Sequence, residues 1–388
     1  MSPSRNLDTL FRHAVESERM PGVVAIAGSD NETLYEGAFG RRELGKDAPM
    51  TLDTVVWIAS MTKAITATAA MQLVEKGKLA LERPASEVVP ELAKVQVLQG
   101  FDASGKPRLR PPARSMTLRH LLTHTAGFGY EIWNPSIAQY QSVTGTPGIT
   151  SCANAALTTP LGFDPGDRWE YGISIDWVGK MVEAASGQTL DRYLQENVLG
   201  PLEMKDTSFK LSPSQRARLA TVHQRGADGT LAPIEFEIPQ QPEFHMGGGG
   251  LYGTARDYLA FARMIMQDGR CPGGQLLRPE TVALMAQNHI GTLEVAAFKT
   301  AIPALSRDIE LFPGMSKKWG LSFLINTQPS PTGRSAGSLA WAGLANTYFW
   351  IDRTKRVCGV FLSQLLPFYD DTAIDLLGNF ETEVYRDL

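Results

Sequence analysis

Cysteine and histidine are both scarce in this sequence of 388 residues, which contains three cysteines and six histidines. Cys152, Cys271 and Cys358 are odd in number and far apart, so we expect reduced, buried thiols rather than a disulfide framework. None of the histidines stands in an H-E-x-x-H motif, and the chain has no C-x-x-C pair. The sequence therefore predicts no metal site.

Long apolar runs and a strong charge of either sign are absent as well. No apolar stretch reaches the roughly 20 residues that a membrane-spanning helix needs, and 37 lysines and arginines nearly balance 41 aspartates and glutamates. We therefore expect neither nucleic acid nor a membrane as a partner. The first 20 residues contain no apolar signal-peptide core, which favours a cytoplasmic location.

The most informative stretch is Ser60-Met61-Thr62-Lys63. An extended apolar run at 54–58 precedes it, and the pattern predicts a helix over 60–76 that ends before Gly77. Ser60 and Lys63 would share one helix face, and the small or apolar body of the helix indicates burial. Burial favours the neutral form of a lysine, which then becomes a base beside a hydroxyl in the first helical turn.

Three other patterns suggest chemistry but lack the context that the chemistry needs. Ser335 lies in a G-x-S-x-G match, but a loop should precede it, a strand should follow it and no histidine lies beyond His289, so we do not expect it to be a nucleophile. His120 and His124 lie four apart, yet no third ligand is nearby, and we favour packing or capping over metal binding. The glycines at 247–250 lack a phosphate-loop context and indicate close backbone packing at a strand.

Strand patterns occur near both ends of the chain, and short helices fill the middle. This order predicts an α+β protein with one antiparallel sheet, flanked by helices and built from residues 1–84 and 226–388. Residues 85–225 would form an inserted, mostly helical domain.

Several stretches, taken in order, resemble one family. Residues 60–63 resemble its S-x-x-K motif, 121–127 a loop at its site, 165–171 its tyrosine motif, 200–209 the segment after that motif, and 341–343 its third motif. The family is the serine β-lactamase and penicillin-binding-protein superfamily, in its class C-like branch, and the chain is most similar to family VIII carboxylesterases. The resemblance implies a β-lactamase/transpeptidase-like fold.

The same resemblance implies roles for individual residues. Ser60 would be the nucleophile, Lys63 the base and Tyr171 its proton-sharing partner, while the backbone N–H groups of Ser60 and Leu344 would form an oxyanion hole. No cofactor would be needed. The residues expected to contact the substrate are Tyr130, Trp341, Ala342 and Gly343.

Departures from the family pattern point to the substrate. Trp341 and Ala342 replace a lysine and a threonine that would hold the carboxylate of a β-lactam, and Ile173 replaces an asparagine two residues after Tyr171. Both changes make the site more apolar, which favours a neutral ester. We therefore predict a serine carboxylesterase that hydrolyses short-chain, neutral carboxylic esters through an acyl-enzyme on Ser60. Its partner would be a small-molecule ester substrate.

Other functions are compatible with the same motifs. A class C-like β-lactamase or D,D-peptidase is the nearest alternative, and the missing lysine at position 341 counts against it. An acyltransferase differs only in what accepts the acyl group. From another class, an inactive binding or sensor domain is disfavoured because Ser60, Lys63 and Tyr171 are all present. No oligomeric state follows from the sequence.

Overall fold

The computed structural model of this chain describes residues 3–386 and 388. The helices are α1 (Pro3–Glu16), α2 (Thr62–Glu75), α3 (Leu118–Leu122), α4 (Pro135–Thr144), α5 (Ser174–Ser186), α6 (Leu190–Leu194), α7 (Pro213–Arg216), α8 (Ala255–Met266), α9 (Pro279–Met285) and α10 (Asp371–Arg386). The strands are β1 (Gly22–Gly28), β2 (Thr33–Gly40), β3 (Val56–Trp57), β4 (Val97–Phe101), β5 (Pro107–Arg110), β6 (His223–Arg225), β7 (Leu231–Pro233), β8 (Tyr252–Gly253), β9 (Arg270–Cys271), β10 (Gly274–Gln275), β11 (Lys317–Trp319), β12 (Leu324–Asn326), β13 (Leu339–Gly343), β14 (Thr347–Asp352), β15 (Val357–Leu362) and β16 (Leu365–Leu366).

Seven of these strands form one antiparallel sheet, in the order β11-β12-β13-β14-β15-β1-β2. Strand β1 pairs with β15, with Ile26 opposite Val360, so the first hairpin of the chain lies beside its last strands. All residues of β1, β13, β14 and β15 are buried. Strands buried on both faces need a covering layer on each side of the sheet.

Helices supply both layers. On one face, Phe11 of α1 and Phe380 of α10 pack together, and Phe11 also contacts Phe361 of β15. On the other face, Tyr258 of α8 lies 4.9 Å from Phe349 of β14 between ring centroids. Phe349 pairs with Val360, the neighbour of Phe361, so the two phenylalanines point to opposite faces. The predicted fold class, an antiparallel sheet flanked by helices, is confirmed.

Some element boundaries differ from the sequence prediction for local reasons. The sequence pattern predicts one strand over residues 320–325. Instead, Ser322 adopts a φ of 75° and the Gly320 N–H donates to Phe323 O, which closes a turn between β11 and β12. The glycines and the proline at 100–107 predict a turn-rich loop, and this segment contains the turn of the hairpin β4–β5, whose strands the sequence did not predict. Asp102 closes the turn, because its carboxylate accepts from two backbone N–H groups. Cys271 is only partly buried, unlike Cys152 and Cys358.

The division into residues 1–84 with 226–388 and a separate unit at 85–225 stays a prediction. Within the part of the chain that the structure describes, no helix is both long enough and apolar enough to cross a membrane.

Candidate active site

Ser60 lies in a 3-10 turn, Ala59–Met61, that leads directly into α2. The predicted helix therefore begins two residues later than expected. Ala59 adopts a φ of 46°, a left-handed conformation that costs an alanine free energy. The strain is tolerated because a hydrogen bond from the sheet holds the turn in place: Thr347 Oγ1 of β14 donates to Ile58 O at 3.2 Å. The turn thus holds Ser60 in a fixed position at the start of a buried helix.

Lys63 is fully buried in the first turn of α2. Its ammonium donates to three acceptors, Ser60 Oγ at 3.0 Å, Tyr130 Oη at 3.0 Å and Gly248 O at 2.5 Å. Burial lowers the pKa of Lys63 to about 7, although the nearby Asp176 carboxylate acts in the opposite direction. In its neutral form the amine can still donate to Tyr130 and Gly248, which leaves its lone pair facing the Ser60 hydroxyl.

Tyr171 lies on the other side of Ser60 and is also buried. Its phenol is hydrogen-bonded with Ser60 and accepts a hydrogen bond from Trp341 Nε1 at 3.0 Å. The Tyr171 ring lies 4.8 Å from Lys63 Nζ. Burial raises the pKa of Tyr171 further than these hydrogen bonds lower it, so the phenol is protonated at neutral pH.

Strand β13 closes the site from the sheet. A Cβ atom on Gly343 would lie 2.3 Å from Ile58 O and 2.2 Å from Thr347 Oγ1, so only glycine allows this strand to approach the turn that carries Ser60. The approach brings Leu344 into the wall of the cavity that also contains Ser60. Most of the other lining side chains are aromatic or aliphatic: Trp57, Ile132, Trp133, Ile149, Phe236, Met246, Leu305, Leu366 and Phe368.

The structure brings the residues predicted from sequence together around one cavity. Seven of the eight line it, namely Ser60, Tyr130, Tyr171, Trp341, Ala342, Gly343 and Leu344. Lys63 lies immediately behind Ser60. Two of these residues have contacts that the sequence did not predict: Tyr130 accepts a hydrogen bond from Lys63, and the Trp341 indole N–H donates to Tyr171. Both were expected only as substrate contacts.

Asp176 is the residue that sequence reasoning missed. It lies in the first turn of α5, is completely buried, and accepts a hydrogen bond from Gly248 N at 2.8 Å. Burial raises the pKa of its carboxyl group, while the Lys63 ammonium lowers it. One signal was available in the sequence. The carboxylate lies five residues after Tyr171 and between the apolar Ile175 and Trp177, which is unusual for an aspartate on the solvated side of a helix.

The patterns that lacked chemical context lie elsewhere or serve the fold. Ser335 precedes β13, its N–H donates to Asp352, and it is not among the described residues that line the cavity. His120 forms a capping box with Thr117, and His124 packs 5.3 Å from Trp319 between ring centroids, so the predicted capping and packing roles are confirmed.

The glycines at 247–250 form a tightly packed turn before β8 rather than part of a strand. A Cβ atom on Gly248 would lie 2.6 Å from Asp176 Oδ2, which agrees with the predicted close packing. Among the described residues, no group of three His, Cys, Asp or Glu side chains could hold a metal ion.

Comparison with known proteins gives the same family over almost the whole chain. Residues 7–381 match the model of the Beta-lactamase family. The chain is 32% identical to a lovastatin esterase of Penicillium rubens, over 98% of each chain. It is also 32% identical to a monacolin J acid methylbutanoyltransferase of Aspergillus terreus, over 98% of this chain and 95% of that one.

A solved structure agrees with these matches. The unliganded simvastatin synthase of Aspergillus terreus is 31% identical to this chain, with a TM-score of 0.87 over 100% of this chain and 99% of the other. The family match, the two full-length relatives and the shared fold lead to one conclusion. This chain belongs to the β-lactamase family of serine hydrolases and acyltransferases.

Proposed function

We propose that this protein is a serine carboxylesterase of the family VIII type that hydrolyses short-chain, neutral esters through an acyl-enzyme on Ser60. The observation that carries the proposal is the pairing of Lys63 Nζ with Ser60 Oγ at 3.0 Å, at the edge of a cavity lined mainly by aromatic and aliphatic groups. A buried amine supplies the base, and an apolar cavity suits a neutral ester better than an anionic ligand.

In this mechanism Ser60 Oγ attacks the ester carbonyl as its proton passes to the neutral Lys63 amine. The backbone N–H groups of Ser60 and Leu344 stabilise the oxyanion of the tetrahedral intermediate, which in such sites is usually the largest electrostatic contribution. The bond to the alcohol oxygen then breaks, and that oxygen takes the proton from Lys63 directly or through the Tyr171 hydroxyl. Water repeats the steps on the acyl-enzyme and releases the acid.

The pH dependence of the reaction follows from the state of Lys63. The neutral amine is the active form, so kcat/KM for p-nitrophenyl butyrate should rise tenfold per pH unit below the midpoint and level off above about pH 7 to 8. The midpoint belongs to the coupled groups around the amine and not to Lys63 alone. The measurement is kcat/KM from pH 5 to 9.

His124 provides the control for this pH dependence. Burial and the Lys63 charge lower the pKa of its imidazole, so it should stay neutral over the whole range. His124→Ala should keep the midpoint of the wild type. If the inflection disappears in this variant while Lys63→Ala remains active, an imidazole is the base and the proposed mechanism is wrong.

The charge of the substrate should have a large effect. Trp341 and Ala342 offer neither cation nor hydroxyl to a carboxylate, and a charge-assisted hydrogen bond of that kind is worth about 1.5–3 kcal/mol. We therefore expect kcat/KM for p-nitrophenyl butyrate to exceed that for benzylpenicillin by about 10- to 150-fold. Equal values for the two substrates would favour the β-lactamase or D,D-peptidase alternative instead.

Acyl transfer to an alcohol is the second candidate. Two observations favour it: the cavity wall is mostly apolar, and a relative of similar length is a monacolin J acid methylbutanoyltransferase. The test is to add a series of alcohols to the esterase assay and measure the ratio of new ester to free acid. An acceptor that captures most of the acyl groups at millimolar concentration would make transfer the main reaction, whereas unchanged release of acid supports hydrolysis.

A further inference from the structure

A buried carboxylate is connected to the Lys63 amine through a single glycine. Asp176 Oδ1 accepts from Gly248 N at 2.8 Å, and Gly248 O accepts from Lys63 Nζ at 2.5 Å. Thr66 Oγ1 of α2 donates to the neighbouring Gly247 O at 2.7 Å. The glycine segment is therefore fixed from α2 by Thr66 and Lys63, and from α5 by Asp176.

The second oxygen of this carboxylate has an unusual environment. Asp176 Oδ2 is buried and has no hydrogen-bond partner among the described residues. A buried charge without compensation is costly, whereas a neutral amide would accept from Gly248 N equally well. The hydrogen bond alone thus does not account for a carboxylate at this position, and Lys63 is the cation that compensates it.

We infer that Asp176 is a positioning residue for Lys63, which holds the Gly248 carbonyl against the amine and makes the protonated amine more stable. The inference deepens the proposed function and rests on it, because it requires Lys63 to be the base. Asp176 itself is not among the described residues that line the cavity, and it reaches the cavity wall only through its hydrogen bond with Gly248.

Other titratable groups surround the pair, and burial shifts the pKa of each of them in the direction that favours its neutral form. Burial raises the pKa of the Tyr130 and Tyr171 phenols, raises that of the Cys152 thiol to about 12, and lowers that of the His124 imidazole. The carboxyl group of Glu131, next to Tyr130, also has a pKa raised by burial. The charge of Asp176, by contrast, raises the pKa of Lys63 and so favours the protonated amine.

Two substitutions separate the charge of Asp176 from its hydrogen bond. Asp176→Asn keeps an acceptor for Gly248 N but removes the charge, so the midpoint of kcat/KM against pH should move down by about one unit. Its kcat at the plateau should stay within a few-fold of the wild type. Asp176→Ala removes the acceptor too, and kcat should fall by about 10- to 100-fold with little change in KM, because the amine is displaced.

Asp257→Asn is the matched control. Asp257 is a largely buried carboxyl of α8 whose pKa burial raises to about 6, and it accepts from Asp206 N and Thr207 Oγ1, away from the cavity. This variant should leave the midpoint unchanged. A midpoint for Asp176→Asn equal to that of the wild type, or an equal shift in Asp257→Asn, would overturn the inference.

A second variant keeps the test decisive if Asp176→Asn does not fold. In Gly248→Ala the new Cβ atom would lie 2.6 Å from Asp176 Oδ2 and force the two groups apart, so the midpoint should again fall. An unchanged midpoint in a folded Gly248→Ala protein would contradict the inference. Different results would contradict the proposed function itself: wild-type kcat/KM that does not fall at acid pH, or a Ser60→Ala protein that keeps its activity.

Discussion

Ser60→Ala is expected to reduce the hydrolysis of p-nitrophenyl butyrate by about 10⁴- to 10⁶-fold in kcat, the range seen when a serine hydrolase loses its nucleophile. The Ser60 hydroxyl is the group that Lys63 and Tyr171 both contact at the cavity. The fold should be unaffected, because Ser60 is only partly buried and alanine suits the turn into α2. The measurement is kcat beside the thermal unfolding temperature.

Ser335→Ala is the matched control, because Ser335 is the serine of the second hydrolase-like motif. Only its backbone groups are needed for its bonds with Asp352, Asn326 and Ser338. This variant should keep nearly full activity. Loss of activity in a folded Ser335→Ala protein, together with an active Ser60→Ala protein, would refute the proposed nucleophile.

The second large effect should come from the groups that move the proton. Lys63→Ala should lower kcat by about 10³- to 10⁴-fold and Tyr171→Phe by about 10²- to 10³-fold, because general acid–base groups contribute in this range. KM should change less, since both side chains act in proton transfer. Steady-state kinetics at pH 8, where the wild-type amine is neutral, give both parameters.

Two buried residues outside the site serve as controls for these substitutions. Lys317→Ala removes a buried lysine that donates to Met315 O, and Tyr193→Phe removes a buried hydroxyl that donates to Gln72. Both variants should retain kcat to within a few-fold. A Lys63→Ala protein as active as Lys317→Ala would show that the amine is not the base.

Much of this site could be predicted from the sequence because the information is local. Ser60 and Lys63 are three residues apart on a helix whose other residues are small or apolar, and both the spacing and the burial follow from that pattern. The predicted burial of Lys63 is confirmed by its complete enclosure in the structure. Strands at both chain ends, with helices between them, similarly indicated one shared antiparallel sheet.

The missed features depend on contacts between distant parts of the chain. The distance in sequence between Lys63 and Tyr130 is 67 residues, and between Asp176 and Gly248 it is 72. No periodicity joins such pairs, so Asp176 looked like an ordinary residue at the start of a helix. The turn at Ser322 was missed for another reason, since its positive φ is set by tertiary packing and serine rarely adopts it.

Trp341 illustrates an intermediate case. Its position in the third motif suggested a wall for an apolar substrate, and the side chain does line the cavity. Its indole N–H also donates to Tyr171, and its ring lies 4.6 Å from that of Trp319 between centroids. The type of a residue can thus predict the polarity of a cavity. Its hydrogen bond to a neighbour such as Tyr171 can be recognised only in the packed structure.

The central claim, that acyl groups pass through Ser60, is tested most directly by trapping the intermediate. The wild type, Ser60→Ala and Ser335→Ala proteins are mixed with p-nitrophenyl butyrate, quenched in acid within the first turnovers, digested and analysed by mass spectrometry. We expect a butyryl adduct of about 70 Da on the peptide that contains Ser60 in the wild type and Ser335→Ala, and none in Ser60→Ala. An adduct on another residue, or an unmodified Ser60 during a burst of p-nitrophenol release, would contradict the account.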